Sequence, residues 1–159
     1  MIPLIPALAF AAAIGSGLMA GLFFIFSVCI MQALSRLPPE QGIAAMNAIN
    51  VVIQNPIFLS AFMGTALLGL ALIVVAFISG GEGRWLLAAG GLVYVVGVLL
   101  VTIVFNVPMN DALAKVSGSG AEATALWTAY LKDWTWWNHV RTIASLLASI
   151  AFVRALMLV

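Results

Sequence analysis

The first charged side chain in this 159-residue chain is Arg36, and the stretch before it is apolar almost without interruption. A hydrocarbon layer takes roughly 20 such residues per helix, so the stretch predicts a membrane-spanning helix over about 6–34, long enough to tilt. Hydrophobic residues make up 65% of the chain and charged residues 7%. No soluble core hides that much apolar surface. The length holds about four spans and little else, so the expected fold is all-α: a single four-transmembrane-helix bundle over residues 1–159. The N-terminal stretch lacks a positive start and stays apolar beyond the reach of a signal peptide, which reads as a retained helix.

Pro38 and Pro39 stop the first helix and pre-set φ for another. In the segment that follows, Ile43, Met46, Ile49, Asn50 and Ile53 share one face, predicting a short amphipathic helix at the interface or bundle mouth that ends at Asn55-Pro56. A residue before proline is pushed out of the α region, so the second span begins at about Pro56 and runs to Ser79. Gly80-Gly81-Glu82-Gly83-Arg84 is a tight polar turn suited to an antiparallel helix hairpin. The third span runs from about Trp85 to Phe105 and closes at Asn106-Val107-Pro108-Met109-Asn110-Asp111. Ser117-Gly118-Ser119-Gly120 reads as a flexible break, and Ser119 with Glu122 has the form of a capping box. A long fourth helix then starts near Gly120 and carries the last span over about 137–158.

Hairpin connectivity puts both long polar connections on one side and the glycine turn with both termini on the other. The difference in basic residues between the sides is too small to orient the protein. Gly17 and Gly21 form a GxxxG pair that fits tight packing within the bundle or against a second copy in a homo-oligomer. Gly90, Gly91 and Gly97 allow close helix contact in the third span.

Six basic and five acidic residues without a basic run exclude nucleic acid as a partner. The lipid bilayer and a lipophilic small molecule are the expected partners, and the expected location is a bacterial inner membrane. Cys29 lies alone in an apolar run and reads as a small buried hydrophobe. With His139 as the only histidine, the chain offers no ligand set for structural zinc or an iron-sulfur centre. No metal site and no cofactor are expected, although haem or a metal at His139 and Asp111 stays open.

Polar groups at membrane depth cost several kcal/mol unless paired, so their placement is informative. Spans one and two hold no ionisable group and read as scaffold. The junctions of spans three and four contribute Asn106, Asn110, Asp111, Asn138, His139 and Arg141. Trp127, Trp134, Asn138, Arg141 and Ser145 recur at helical spacing as one stripe, and Asn106 and Asn110 form a matching pair. If these faces meet, amides, a guanidinium and an indole converge in one pocket, with Asn47 and Asn50 of the short helix as its lid. Tryptophans ordinarily anchor at the headgroup level, and Trp134 is the expected exception. Asp111 could pair with Arg141.

At Asn106-Val107-Pro108-Met109-Asn110 and at Trp134-Thr135-Trp136-Trp137-Asn138-His139-Val140-Arg141-Thr142 the chain resembles the anthrone oxygenase-like family of small membrane proteins. The resemblance also takes in the glycine-rich first span and the short segment ending in Asn-Pro. It implies a four-helix membrane fold and oxidation of anthrones to anthraquinones by dioxygen without an obvious cofactor. On that reading His139 is the base, Asn106, Asn138 and Arg141 are donors to an oxyanion, Trp134 is a stacking wall, and Trp127, Asn110, Asp111, Asn47 and Asn50 help to bind substrate. The alternatives are a non-catalytic membrane protein that binds a small lipophilic ligand, haem or quinone, and a structural membrane subunit.

Overall fold

A computed structural model describes residues 4–116 and 119–158. Four helices are long and apolar enough to cross a membrane: α1 (Leu4–Leu34), α3 (Pro56–Ile78), α4 (Arg84–Lys115) and α5 (Ala121–Leu156), with the short α2 (Pro39–Val52) between the first two. The protein is an all-α integral membrane bundle. Its four long helices close a ring in which α1 packs on α5 and α3, and α4 packs on α3 and α5.

The ends follow the local chemistry. Pro39 opens α2 and Pro56 opens α3, where the missing N–H costs nothing. The Asn55 side chain accepts the Phe58 N–H at 3.0 Å and caps α3. Gly80 and Gly81 adopt φ of 68° and 93° in the α3–α4 turn, a conformation that side chains resist. The capping box expected at Ser119 and Glu122 does not form. Gly120 is the N-cap instead, at φ 107° and with no side-chain cap bond. Ser117 and Gly118 of the expected break lie outside the described residues.

Two different cores fill the ring. At the end of the glycine turn the interior is built from small residues, with Ala9, Ala12, Ala76, Ala148 and Ala155 fully buried around Leu72, Tyr94 and Phe152. Glycines set the helix spacing there: a Cβ on Gly90 would meet the Phe152 ring, and one on Gly69 would lie 3.3 Å from the Gly91 Cα. Gly17 likewise faces the Ser149 hydroxyl of α5, whereas Gly21 opens outward. At the other end the core turns aromatic and sulfur-rich, with Phe26, Met31, Met46, Trp127, Tyr130 and Trp134.

The third span departs from expectation, because α4 does not close at Asn106 but continues through Pro108 to Lys115. Residues Thr102–Asn106 widen into a π-helical turn in which the Val107 N–H bonds to the Thr102 carbonyl. A proline ring collides with the carbonyl four residues before it, and one wide turn relieves that collision without ending the helix. A second π-helical turn, Phe26–Ile30, lies in α1, and a third, Val95–Leu100, precedes the first in α4. At 1.5 Å per residue, the 36 residues of α5 reach roughly 54 Å, well beyond a hydrocarbon layer of about 30 Å. The excess falls to its N-terminal third, which carries Glu122 and Lys132 and against which α2 and the end of α4 pack.

Candidate functional site

The stripe read from the sequence of α5 is one buried seam. Trp127, Trp134, Asn138, Arg141 and Ser145 are all buried, and Tyr130 joins them. The spacing of three or four residues keeps them on the face turned toward α1 and α4.

Asn138 lies at the centre of a polar lattice. Its Nδ2 donates to the Phe23 carbonyl and to Ser27 Oγ, each at 2.7 Å, and its Oδ1 accepts from Arg141 Nη2 at 2.7 Å. Arg141 Nη1 donates to Thr102 Oγ1 at 3.4 Å, and that hydroxyl donates in turn to the Val98 carbonyl at 2.7 Å. The guanidinium lies between two aromatic faces, 4.4 Å from the Phe23 ring centroid and 4.9 Å from that of Trp134. Such faces offset part of the cost of desolvating a cation. No carboxylate is among its hydrogen-bond partners, and its Nε is buried without a partner among the described residues.

The wide turn in α4 aims Asn106 and Asn110 at the same seam. Asn106 Nδ2 donates to the Trp134 carbonyl at 3.3 Å. Asn110 Oδ1 accepts from the Tyr130 hydroxyl at 2.8 Å and from Trp134 Nε1 at 2.9 Å, which fixes the rotation of the indole. Trp127, Tyr130 and Trp134 stack in sequence at centroid separations of 5.6 and 5.9 Å. The short helix sits across this end. Ile43 and Met46 are buried, Asn47 Nδ2 reaches the Leu113 carbonyl at 3.5 Å, and a Cβ on Gly42 would strike the Trp127 ring.

A cavity of about 380 Å³ opens beside this lattice. That lies within the range of about 300–1,000 Å³ typical of small-molecule sites. Phe23, Phe26, Met46 and Phe62 wall it, and Trp134, Arg141, Asn110, Thr102, Asn50 and Asp111 bring polar groups to its surface. Asn50 Nδ2 is buried without a partner among the described residues.

Several expectations need correction. His139 does not face this cavity: it is exposed on the opposite side of α5 and lines an open surface groove with Lys132, Asp133, Thr135 and Trp136. One residue after buried Asn138 is a rotation of about 100°, enough to carry a side chain from core to exterior. Asp111 lines the cavity, but Arg141 bonds to Asn138 and Thr102 and not to it. Trp127 is buried like Trp134 but does not line the cavity, and neither do Asn47, Asn106 and Asn138, whereas Trp136 and Trp85 are exposed. Cys29 is exposed as well. Nor is α1 plain scaffold, since it supplies the Phe23 carbonyl and ring, Phe26 and Ser27. The sequence does not single out Phe23, Phe26, Ser27 or Thr102. Thr102 lies four before Asn106 and shares its face, a usable signal, but nothing in the sequence marks the wide turn of α1. Among the described residues, no three His, Cys, Asp or Glu side chains gather as metal ligands would.

Compared with known families, the chain matches the model of the anthrone oxygenase family over residues 57–151, which takes in α3, α4 and most of α5. This protein belongs to the anthrone oxygenase family. No curated protein and no solved structure matches it.

Proposed function

We propose that the protein is a membrane oxygenase that uses dioxygen to oxidise a lipophilic phenolic or polycyclic, anthrone-like substrate in the cavity beside Arg141. The observation that carries this reading is a buried guanidinium with no carboxylate among its partners, lining a cavity whose walls are largely aromatic and apolar. A cation held that way is costly, and an anion forming beside it removes much of the cost. An anthrone supplies such an anion. It is a carbon acid, and loss of a proton from its methylene carbon moves charge onto the ring oxygen as an enolate.

Asp111 is the carboxylate that lines the cavity, and it takes the role of base that His139 is too far round the helix to fill. Arg141 and the free N–H of Asn50 receive the enolate oxygen, and Trp134, Phe23 and Phe26 flank the rings. The electron-rich enolate passes one electron to dioxygen. The resulting pair joins at the same carbon as a hydroperoxide, and loss of water leaves a second ring carbonyl. One oxygen atom ends in the quinone and the other in water, with both electron pairs drawn from the C–H bonds of the substrate. No cofactor is needed for this sequence. Asn138 and Asn106 hold Arg141 and Trp134 in place rather than touch the substrate, while Asn110 both fixes Trp134 and lines the cavity. The proposed setting is a bacterial inner membrane, where spanning proteins are helical bundles.

The test is oxygen uptake by the purified protein with emodin anthrone, together with detection of emodin. One dioxygen consumed per emodin formed, with the rate lost in Arg141→Met, is the expected result. Uptake no faster than in protein-free detergent, or equal in Arg141→Met, would refute the reading.

A further inference from the structure

We propose that the cavity opens sideways, between α3 and α4, into the hydrocarbon of the membrane, and that a neutral arene dissolved in the bilayer enters by this portal. The inference rests on the reading of the cavity as the site of an anthrone-like substrate.

The helix hairpin is closed at one end and parted at the other. Gly69 and Gly91 bring the two backbones together near the glycine turn, and α3 packs along the Arg84–Leu100 part of α4. Beyond Leu100, toward Lys115, the cavity lies between them, lined from α3 by Leu59, Phe62 and Met63 and from α4 by Thr102, Ile103 and Val107. Four of these six are wall and rim at once. Leu59 is 41% exposed, Met63 43%, Ile103 53% and Val107 40%, although all line the cavity. In a membrane helix, exposed side chains of this kind face lipid. The wide turn at Thr102–Asn106 lies on this same wall.

The other approach is polar. There Met46, Ile49 and Asn50 of α2 reach the cavity surface with Ile53, and the exposed Gln54 and Asp111 stand at its rim. An apolar rim leading to buried Arg141 suits a ligand that enters as a neutral molecule and becomes an anion only beside that guanidinium. Dissolution in the bilayer would concentrate such a ligand at the rim, and the interior would need no water path for it.

The experiment uses the full chain in phosphatidylcholine vesicles with iodonaphthyl azide, a neutral photoreactive arene that partitions into hydrocarbon. After a flash, labelled residues are mapped by mass spectrometry. Label is expected on Phe23, Phe26 and Phe62, which are buried but line the cavity, and emodin should protect them. In Ile103→Trp or Leu59→Trp the cavity label should fall by about ten-fold as the larger ring overfills the portal. Label on lipid-facing Phe77 should stay constant and report an intact bundle. Cavity label unchanged in both portal variants but lost in Gln54→Trp would assign access to the α2 side and overturn the proposal, as would an unlabelled cavity in the native protein. Portal labelling as expected with no oxygen uptake from emodin anthrone would leave the portal standing and remove the substrate reading.

Discussion

Between Trp127 and Arg141, the helix α5 carries two faces built from the same kinds of residue. The inner face has Trp127, Tyr130, Trp134, Asn138 and Arg141, and the outer face has Lys132, Asp133, Trp136 and His139. Each offers tryptophan, a cation and a further polar group. On the inner face every one of them is locked. Trp134 is 4% exposed and bonded to Asn110, and Arg141 is held by Asn138 and by two rings. On the outer face Trp136 is 64% exposed, and the groove with His139 is open to the surroundings. Chemical type does not separate the faces. Helical phase does, because the inner groups lose water and must find partners, while the outer ones need none.

Activity separates the two faces most strongly. Arg141→Met is expected to lower oxygen uptake with emodin anthrone by about 100-fold or more, the scale of removing a preorganised donor to an oxyanion, while His139→Ala changes it by less than about two-fold. Equal losses in the two variants would erase the functional distinction between the faces. Asp111→Asn should cost about 100-fold in kcat with KM little changed, as for a general base that does not bind the ground state. A KM effect alone would demote Asp111 to a binding residue.

Stability sharpens the same contrast at smaller scale. Asn138→Leu leaves the Phe23 carbonyl, Ser27 and Arg141 without their shared partner and should destabilise the bundle by about 2–4 kcal/mol. His139→Ala, one residue along, should stay within about 0.5 kcal/mol. Melting curves in detergent distinguish these. Gly42→Ala drives a methyl group into the Trp127 ring and should cost about 1–3 kcal/mol, whereas Gly21→Ala meets nothing and should be near neutral. Smallest is Trp134→Phe, which frees one acceptor position on Asn110 for about 1 kcal/mol, against no measurable change for Trp136→Phe. A Trp136→Phe effect as large as that of Trp134→Phe would mean that the outer face is covered by something.

Much of the site was legible because it lies on helices. Residues at spacings of three, four and seven share a face whatever the fold, so the stripe of Trp127, Trp134, Asn138, Arg141 and Ser145 could be read directly, as could the pair Asn106 and Asn110. The sequence neighbours of His139 point it toward the site, while its helical phase points it away. Ser27 gives no signal, because a serine in a long apolar run looks like any small packing residue until a partner helix presents Asn138 to it.

From the sequence alone came the four spans, the short helix between the first two, the tight glycine turn and the gathering of polar groups at one end. Hydropathy, proline and glycine act within a few residues of themselves, and a bilayer forces each apolar run to satisfy its own backbone as a helix. Only the tertiary structure decided that α4 continues through Pro108, that Phe23 and Ser27 of α1 complete the lattice, and that all five helices line one cavity with Arg141 in its wall. Those outcomes depend on which helix faces meet and at what separation. The separation is set by contacts such as that of Gly69 with Gly91, made between residues far apart in the chain.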